Sequence, residues 1–235
     1  MSDIINGKTL DGISFEYSSR VKPVTTTSKT PDVPQGRDTF NTPRYAVDIL
    51  VPFIPKHITH IWECAAGEGR IVRYLRDAGY KVMGTDIRTL GDSVYCNFVE
   101  DNPPKNIYSQ PTAIITNPPY SIKEMFIEKA IKYNIPMAML INADYSGQQI
   151  KWIEEWKCEK IIPKRRINYI TPNMVNRINE GENTNYSEID EIPQKLIAKY
   201  SASQFHSMWL TWGFGLNRTE TFVELTNKQI IKCRF

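Results

Sequence analysis

Four consecutive residues, Asn117-Pro118-Pro119-Tyr120, offer an unusual kind of chemistry. Two prolines in a row remove two backbone N–H donors and fix two φ angles, which leaves carbonyl oxygens and one amide side chain with little freedom. Such a cluster suits an aromatic primary amine, a poor nucleophile because its lone pair is delocalised into the ring. If the Asn117 side-chain oxygen and the Pro118 carbonyl each accept one amine hydrogen, the nitrogen is drawn toward tetrahedral geometry and its lone pair is aimed at one point. Positioning of this sort lowers barriers by up to roughly 7–11 kcal/mol in well-oriented systems. Tyr120 adds a flat face for stacking, worth about 1–3 kcal/mol per base in nucleic-acid contexts. The double proline would also serve as a plain helix starter, a reading that leaves Asn117 unexplained.

A second constellation lies upstream. Glu63-Cys64-Ala65-Ala66-Gly67-Glu68-Gly69 is a loop of small residues, and Asp86 follows Gly67 by about 20 residues, the offset at which an acid reaches a ribose hydroxyl pair. A dinucleotide is the first candidate ligand, but the third glycine of G-x-G-x-x-G is replaced by Val72. Glu63 argues further against it, because a carboxylate in the loop repels a pyrophosphate at a helix N-terminus and welcomes a cation. S-adenosylmethionine, with a sulfonium, an amine and a ribose, suits an acid in the loop plus an acid after the second strand. The alternative is a tight turn at Gly67 and Gly69 with Asp86 as a helix cap.

These residues need a scaffold that brings them to one edge. Ala113-Ile114-Ile115 reads as a buried strand, and Ile122, Met125, Phe126 and Ala130 follow at helical spacing, so the NPPY quartet sits at a strand-to-helix switch. Residues 59–87 read as strand, glycine loop, helix and strand, with Ile71, Val72, Leu75 and Ala78 on one helix face. A short strand at 95–99 and another at 136–141 continue the alternation; EKIIP, SMWLTW and TFVEL are the candidates beyond. The expected fold class is α/β: a doubly wound, mostly parallel Rossmann-like sheet with helices on both faces. A helix is expected to start at residues 41–43, with Asn41 or Thr42 as its cap and Pro43 in its first turn. Residues 1–40 read as a flexible arm, and 41–235 as one domain carrying a polar, loop-rich insertion at about 165–204.

On these motifs the chain resembles the amino-group S-adenosylmethionine-dependent methyltransferases, in particular the small adenine-N6 DNA methyltransferases of phages and bacteria. The resemblance covers residues 41–141 and, more loosely, 205–225. It implies that Asn117, Pro118, Pro119 and Tyr120 are catalytic, that the cofactor is S-adenosylmethionine, and that DNA is the substrate, with RNA possible. It implies cofactor contacts from Thr42 and Pro43, from Glu63, Ala65, Gly67 and Gly69 of the loop, from Asp86 and Ile87, and from Asn97-Phe98. Asn97-Phe98 stands where the family usually has Asp-Phe, and Asn97 still offers an amide oxygen. The cytosine-N4 enzymes tend to carry serine in place of Asn117, which favours adenine. A protein glutamine amide as acceptor, or a catalytically idle binding subunit, are the rival functions; the intact loop, acid and NPPY speak against the latter.

An adenine amine in a duplex is out of reach unless the base is flipped out. Residues 151–170 interleave Lys157, Lys160, Lys164, Arg165 and Arg166 with Trp152, Trp156 and Tyr169, a combination suited to phosphate contact beside stacking. Lys164, Arg165 and Arg166 are the candidates for nucleic-acid binding, with Lys22, Arg37 and Arg44 as additions. Phe205 or Trp209 is placed by the resemblance against the flipped base, an ordinary core strand being the alternative. The net charge of +3 over 235 residues permits such a partner without demanding one. The four cysteines have no CxxC spacing, and His57, His60 and His206 have no metal or triad partner at a telling distance, so no metal site is expected. With no membrane-spanning or leader-like apolar run, a cytoplasmic protein of a bacterial cell or phage-infected host is the expectation.

Overall fold

Strand pairing decides where a crevice can open in a sheet. The structure, a computed structural model, describes residues 5–8, 14–17, 40–88, 93–104, 107–169, 171, 173–187, 191–201 and 205–225. Within the expected arm, β1 (Ile5–Lys8) and β2 (Ser14–Tyr17) pair as an antiparallel ribbon. Lys22 and Arg37 lie outside the described residues. After α1 (Arg44–Asp48) the chain alternates through β3 (His60–Glu63), α2 (Arg70–Asp77), β4 (Lys81–Asp86), β5 (Val94–Tyr95), β6 (Thr112–Thr116), α3 (Lys123–Lys132) and β7 (Met137–Asn142). It continues with α4 (Gly147–Trp156), β8 (Glu159–Pro163), α5 (Met174–Glu182), α6 (Gln194–Tyr200), β9 (Ser207–Trp212) and β10 (Glu220–Val223).

Eight strands form one sheet in the order β10-β8-β9-β7-β6-β3-β4-β5, and every pair is parallel except those of β9, which runs antiparallel to β7 and β8. The chain leaves β3 toward β4 on one side and leaves β6 toward β7 on the other. Right-handed crossovers in opposite directions put α2 and α3 on opposite faces. The period of two along each strand matches this: Ala113 and Ile115 of β6 join the core under α1 and α2, while Ile114 joins the core under α3 and α4. Because strand order reverses between β3 and β6, a crevice opens beyond their C-terminal ends, where the glycine loop and NPPY both begin. Among the described residues, no helix is long and apolar enough to cross a membrane.

Within the polar stretch around 165–204, α5 and α6 close on a small core of their own, made by Met174, Ile178, Ile192 and Ile197. Only four apolar positions are needed for that satellite core, too few to stand out in a segment rich in Asn and Glu. The third strand of the parallel half is just Val94–Tyr95, because the Asn97 carbonyl then accepts from the amides of Glu100 and Asp101 and turns the chain away.

Candidate active site

The glycine loop is shaped by its backbone. Gly67 (φ +51°) and Gly69 (φ +75°) hold left-handed conformations, and Gly69 caps α2. The close helix–strand approach that a third loop glycine would allow is provided from the strand instead: a Cβ on Gly84 of β4 would lie 3.0 Å from a Val72 methyl. Asp86 then fastens the loop, its Oδ2 accepting from the Gly67 amide at 2.9 Å and its Oδ1 from the Arg88 amide at 2.9 Å. Oδ1 also takes Arg88 Nε at 3.3 Å, so further acceptor capacity remains on Oδ2.

Glu63 departs from expectation. It is fully buried beneath the loop, where its Oε1 accepts from the Ala65 amide at 3.0 Å and from the Thr116 hydroxyl of β6. Glu63 thus joins the ends of β3 and β6, the two strands that flank the crevice. Its Oε2 is buried with no hydrogen-bond partner among the described residues. Burial is the main reason that its carboxyl is pushed up to about 8, so near neutral pH it is largely protonated.

Asn117 leaves β6 with its amide already oriented. Nδ2 donates to the Thr42 hydroxyl at 3.1 Å and to the Phe40 carbonyl at 3.4 Å. A carbonyl can only accept, so the nitrogen end of the amide belongs on that side. Oδ1 is left buried with no hydrogen-bond partner among the described residues. Since a buried amide oxygen normally finds a donor, this one stands out as an acceptor held open. Thr42, Ala65, Gly67, Asp86, Asn117 and Pro119 line one pocket, together with Phe40, Asn41, Ala66, Glu68, Arg70, Ile71 and Arg88.

The prolines end in a 3-10 turn, Tyr120–Ile122, closed by the Ile122 amide on the Pro119 carbonyl at 3.2 Å. Tyr120 thereby enters a cluster of rings: its centroid lies 5.1 Å from Phe205 and 6.3 Å from Phe40, and Tyr169 lies 5.6 Å from Phe40 and 6.0 Å from Phe205. Burial pushes the Tyr120 phenol up from its usual range, so it stays neutral at ordinary pH. Phe40 carried no signal in the sequence, since its ring and carbonyl matter only through contacts with residues far along the chain.

Other expected site residues fall elsewhere. Pro43, not Asn41 or Thr42, is the N-cap of α1, and no side chain caps that helix. Asn97 spends its side-chain oxygen on the Val99 amide at 3.2 Å, and Phe98 is core, stacked on Phe126 at 4.7 Å and edge-on to Trp62 at 5.1 Å. Neither lines the pocket. Ile87 is exposed beside Asp86. Trp209 is fully buried, and its Nε1 donates to the Ala46 carbonyl at 2.7 Å, so it ties β9 to α1 rather than walling a base. Trp152 is likewise core, and Lys160 is buried beside Glu220, Nζ to Oε1 3.5 Å, which removes it from any phosphate-facing set. Arg44 pairs with Asp77 on α2 at 2.6 Å. Lys164, Arg165 and Arg166 are exposed past the end of β8, with Lys164 bound to Glu224 at 2.5 Å.

No family model and no curated protein matches the chain. Among solved structures it is similar to the type I restriction-modification system methyltransferase subunit from Streptococcus thermophilus, with a TM-score of 0.50 and 11% identity over 82% of this chain and 52% of that one. The chain therefore spans about half the length of that subunit. Looser likenesses, both at a TM-score of 0.40, are to a TehB-like SAM-dependent methyltransferase from Corynebacterium glutamicum (12% identity, 72% of this chain and 86% of that one) and to the 23S rRNA methyltransferase ErmE (13% identity, 75% and 69%). At 11% identity the first likeness is one of fold alone, that of a doubly wound, mostly parallel Rossmann-like sheet.

Proposed function

We propose that the chain transfers a methyl group from S-adenosylmethionine to the N6 amine of an adenine in DNA, acting on a base turned out of the stack. The observation that carries this reading is the Asn117 amide, anchored through Nδ2 and open at Oδ1, in a pocket that also holds Asp86 and the glycine loop. The donor set fits the cofactor. Ala65, Ala66 and Gly67 allow close backbone approach, and Asp86 offers acceptors for hydroxyls. The pocket's two cationic side chains each sit on an acid, Arg88 on Asp86 at 3.3 Å and Arg70 on Glu68 at 3.5 Å, which disfavours a pyrophosphate. When bound, S-adenosylmethionine supplies a methyl group on a positively charged sulfur.

The protein's own residues then position the acceptor. Asn117 Oδ1 and the Pro118 carbonyl accept the two amine hydrogens, which localises the nitrogen lone pair; the prolines keep the Pro118 carbonyl from turning away, and the Nδ2 contacts to Thr42 and Phe40 do the same for Oδ1. Tyr120 and Phe205 offer ring faces to the extruded base. Lys164, Arg165 and Arg166 hold the phosphate backbone beside it. Asp86 and the loop it fastens hold the ribose and amino-acid ends of the cofactor.

The test is an incubation with methyl-labelled cofactor and separate DNA, RNA and protein acceptors, followed by digestion to monomers. N6-methyladenine from DNA is the expected product. Label in RNA alone would move the substrate class, and label in a protein glutamine, or in none of the three, would overturn the proposal.

A further inference from the structure

Thr42 belongs, by resemblance, to a segment that closes over the cofactor, yet its hydroxyl is committed in another direction. Thr42 is almost fully buried, and its Oγ1 accepts from Asn117 Nδ2 at 3.1 Å, the shorter of the two contacts that hold that amide. Two residues earlier the Phe40 carbonyl takes the second amide hydrogen, and between them Asn41 Nδ2 donates to Glu68 Oε2 of the glycine loop at 3.3 Å. Residues 40–42 therefore form a strap from the cofactor loop to the NPPY motif.

We propose that Thr42 is a positioning residue for catalysis: its hydroxyl anchors the Asn117 amide in the orientation that the Phe40 carbonyl selects, so that Oδ1 faces the acceptor. The inference rests on the function proposed above and deepens it. An asparagine amide has two orientations of nearly equal shape, one presenting oxygen and the other nitrogen. Only the first accepts an amine hydrogen. Turning the amide over would bring Oδ1 against the Phe40 carbonyl, two acceptors facing each other; the Thr42 hydroxyl serves either end, so the carbonyl selects the orientation and the hydroxyl holds it. With the Phe40 contact at 3.4 Å, beyond the usual N–H···O optimum, the Thr42 hydroxyl is the stronger of the two anchors.

Thr42→Val removes the hydroxyl and keeps the branched shape. Thr42→Ser restores the hydroxyl. Three readings are taken on each: cofactor affinity by calorimetry, turnover at saturating cofactor, and the exchange rate of the Asn117 side-chain NH2 protons by NMR. The expected result for Thr42→Val is a turnover lower by on the order of 10- to 100-fold, as small misplacements of reacting groups cause, with cofactor affinity kept within about threefold. Its Asn117 NH2 protons exchange faster, and Thr42→Ser recovers both properties. A loss of cofactor affinity with turnover at saturation unchanged would overturn the inference and make Thr42 a cofactor contact alone, and unchanged NH2 exchange would overturn it as well. If the wild-type protein methylates no acceptor at all, the proposed function fails, and the NH2 exchange alone still decides whether Thr42 anchors the amide.

Discussion

The β8–β9–β10 edge of the sheet and the crevice at its centre treat buried polar groups differently. At the β8–β9–β10 edge they are closed on one another: Lys160 lies 3.5 Å from Glu220 and 4.3 Å from the Tyr145 ring centroid, Thr211 donates to the Glu159 carbonyl at 3.3 Å, and Trp209 donates to Ala46. Where β3 and β6 end, the donor side of the Asn117 amide is tied down while three oxygens, Glu63 Oε2, Asn117 Oδ1 and the Tyr120 hydroxyl, have no hydrogen-bond partner among the described residues, a condition shared elsewhere by Asn142 Oδ1 at the end of β7 and Trp152 Nε1 on α4. Satisfied burial supports a fold. Unsatisfied burial costs about 1–3 kcal/mol per group, a cost that a ligand bound in the crevice would offset.

That contrast can be broken from either side. Asn117→Ala, in the crevice, removes the acceptor that the proposed reaction uses; turnover is expected to fall by about 100-fold or more, with cofactor affinity intact, as read by single-turnover methyl transfer and calorimetry. Trp209→Ala, at the closed edge, is expected to lower stability by about 3–5 kcal/mol in urea unfolding while the folded fraction keeps its activity. Equal effects of the two on the ratio of turnover to folded protein would erase the distinction. Asp86→Ala deprives Gly67 of its acceptor and, on the proposed function, the cofactor of a hydroxyl partner, and cofactor affinity is expected to drop by about 10-fold or more, measured by calorimetry.

The smallest expected effect is on the pH dependence of stability. Glu63 has a carboxyl raised in the folded protein from an ordinary 4.5 to about 8, so the folded state holds a proton that the unfolded state releases. Stability from this group is fully present below about pH 4.5 and is lost as pH rises to about 8, a change on the order of a few kcal/mol. Glu63→Gln cannot ionise and is expected to flatten that part of the profile in chemical unfolding series at several pH values. A variant curve that falls in parallel with the wild type would remove Glu63 as its source.

Much of the parallel half was legible in the sequence. The glycine loop, Asp86 and NPPY announce themselves because each is a local pattern at a strand end, and β3, α2, β4, β6 and α3 follow from apolar periodicity. What escaped was set by distant contacts. The antiparallel insertion of β9 between β7 and β8 leaves no mark within SMWLTW. Thr42 meets Asn117 across 75 positions, so its role at the amide had no local signature. Glu63 reads as an accessible charge when isolated, and only the neighbouring β6, with Thr116 above it, reveals a buried and largely neutral carboxyl. Phe98 was a cofactor contact by resemblance alone and is packing, and for Trp209 the alternative of an ordinary core strand is the one that holds.

The most direct test of the account is a crystal structure of the chain with the demethylated cofactor and a DNA carrying an adenine at the modified position. The account predicts that the adenine lies outside its helix with N6 within hydrogen-bond reach of Asn117 Oδ1, about 2.7–3.2 Å, while Nδ2 stays on Thr42. An adenine amine bound away from Oδ1, or an Asn117 amide turned to present its nitrogen, would contradict it.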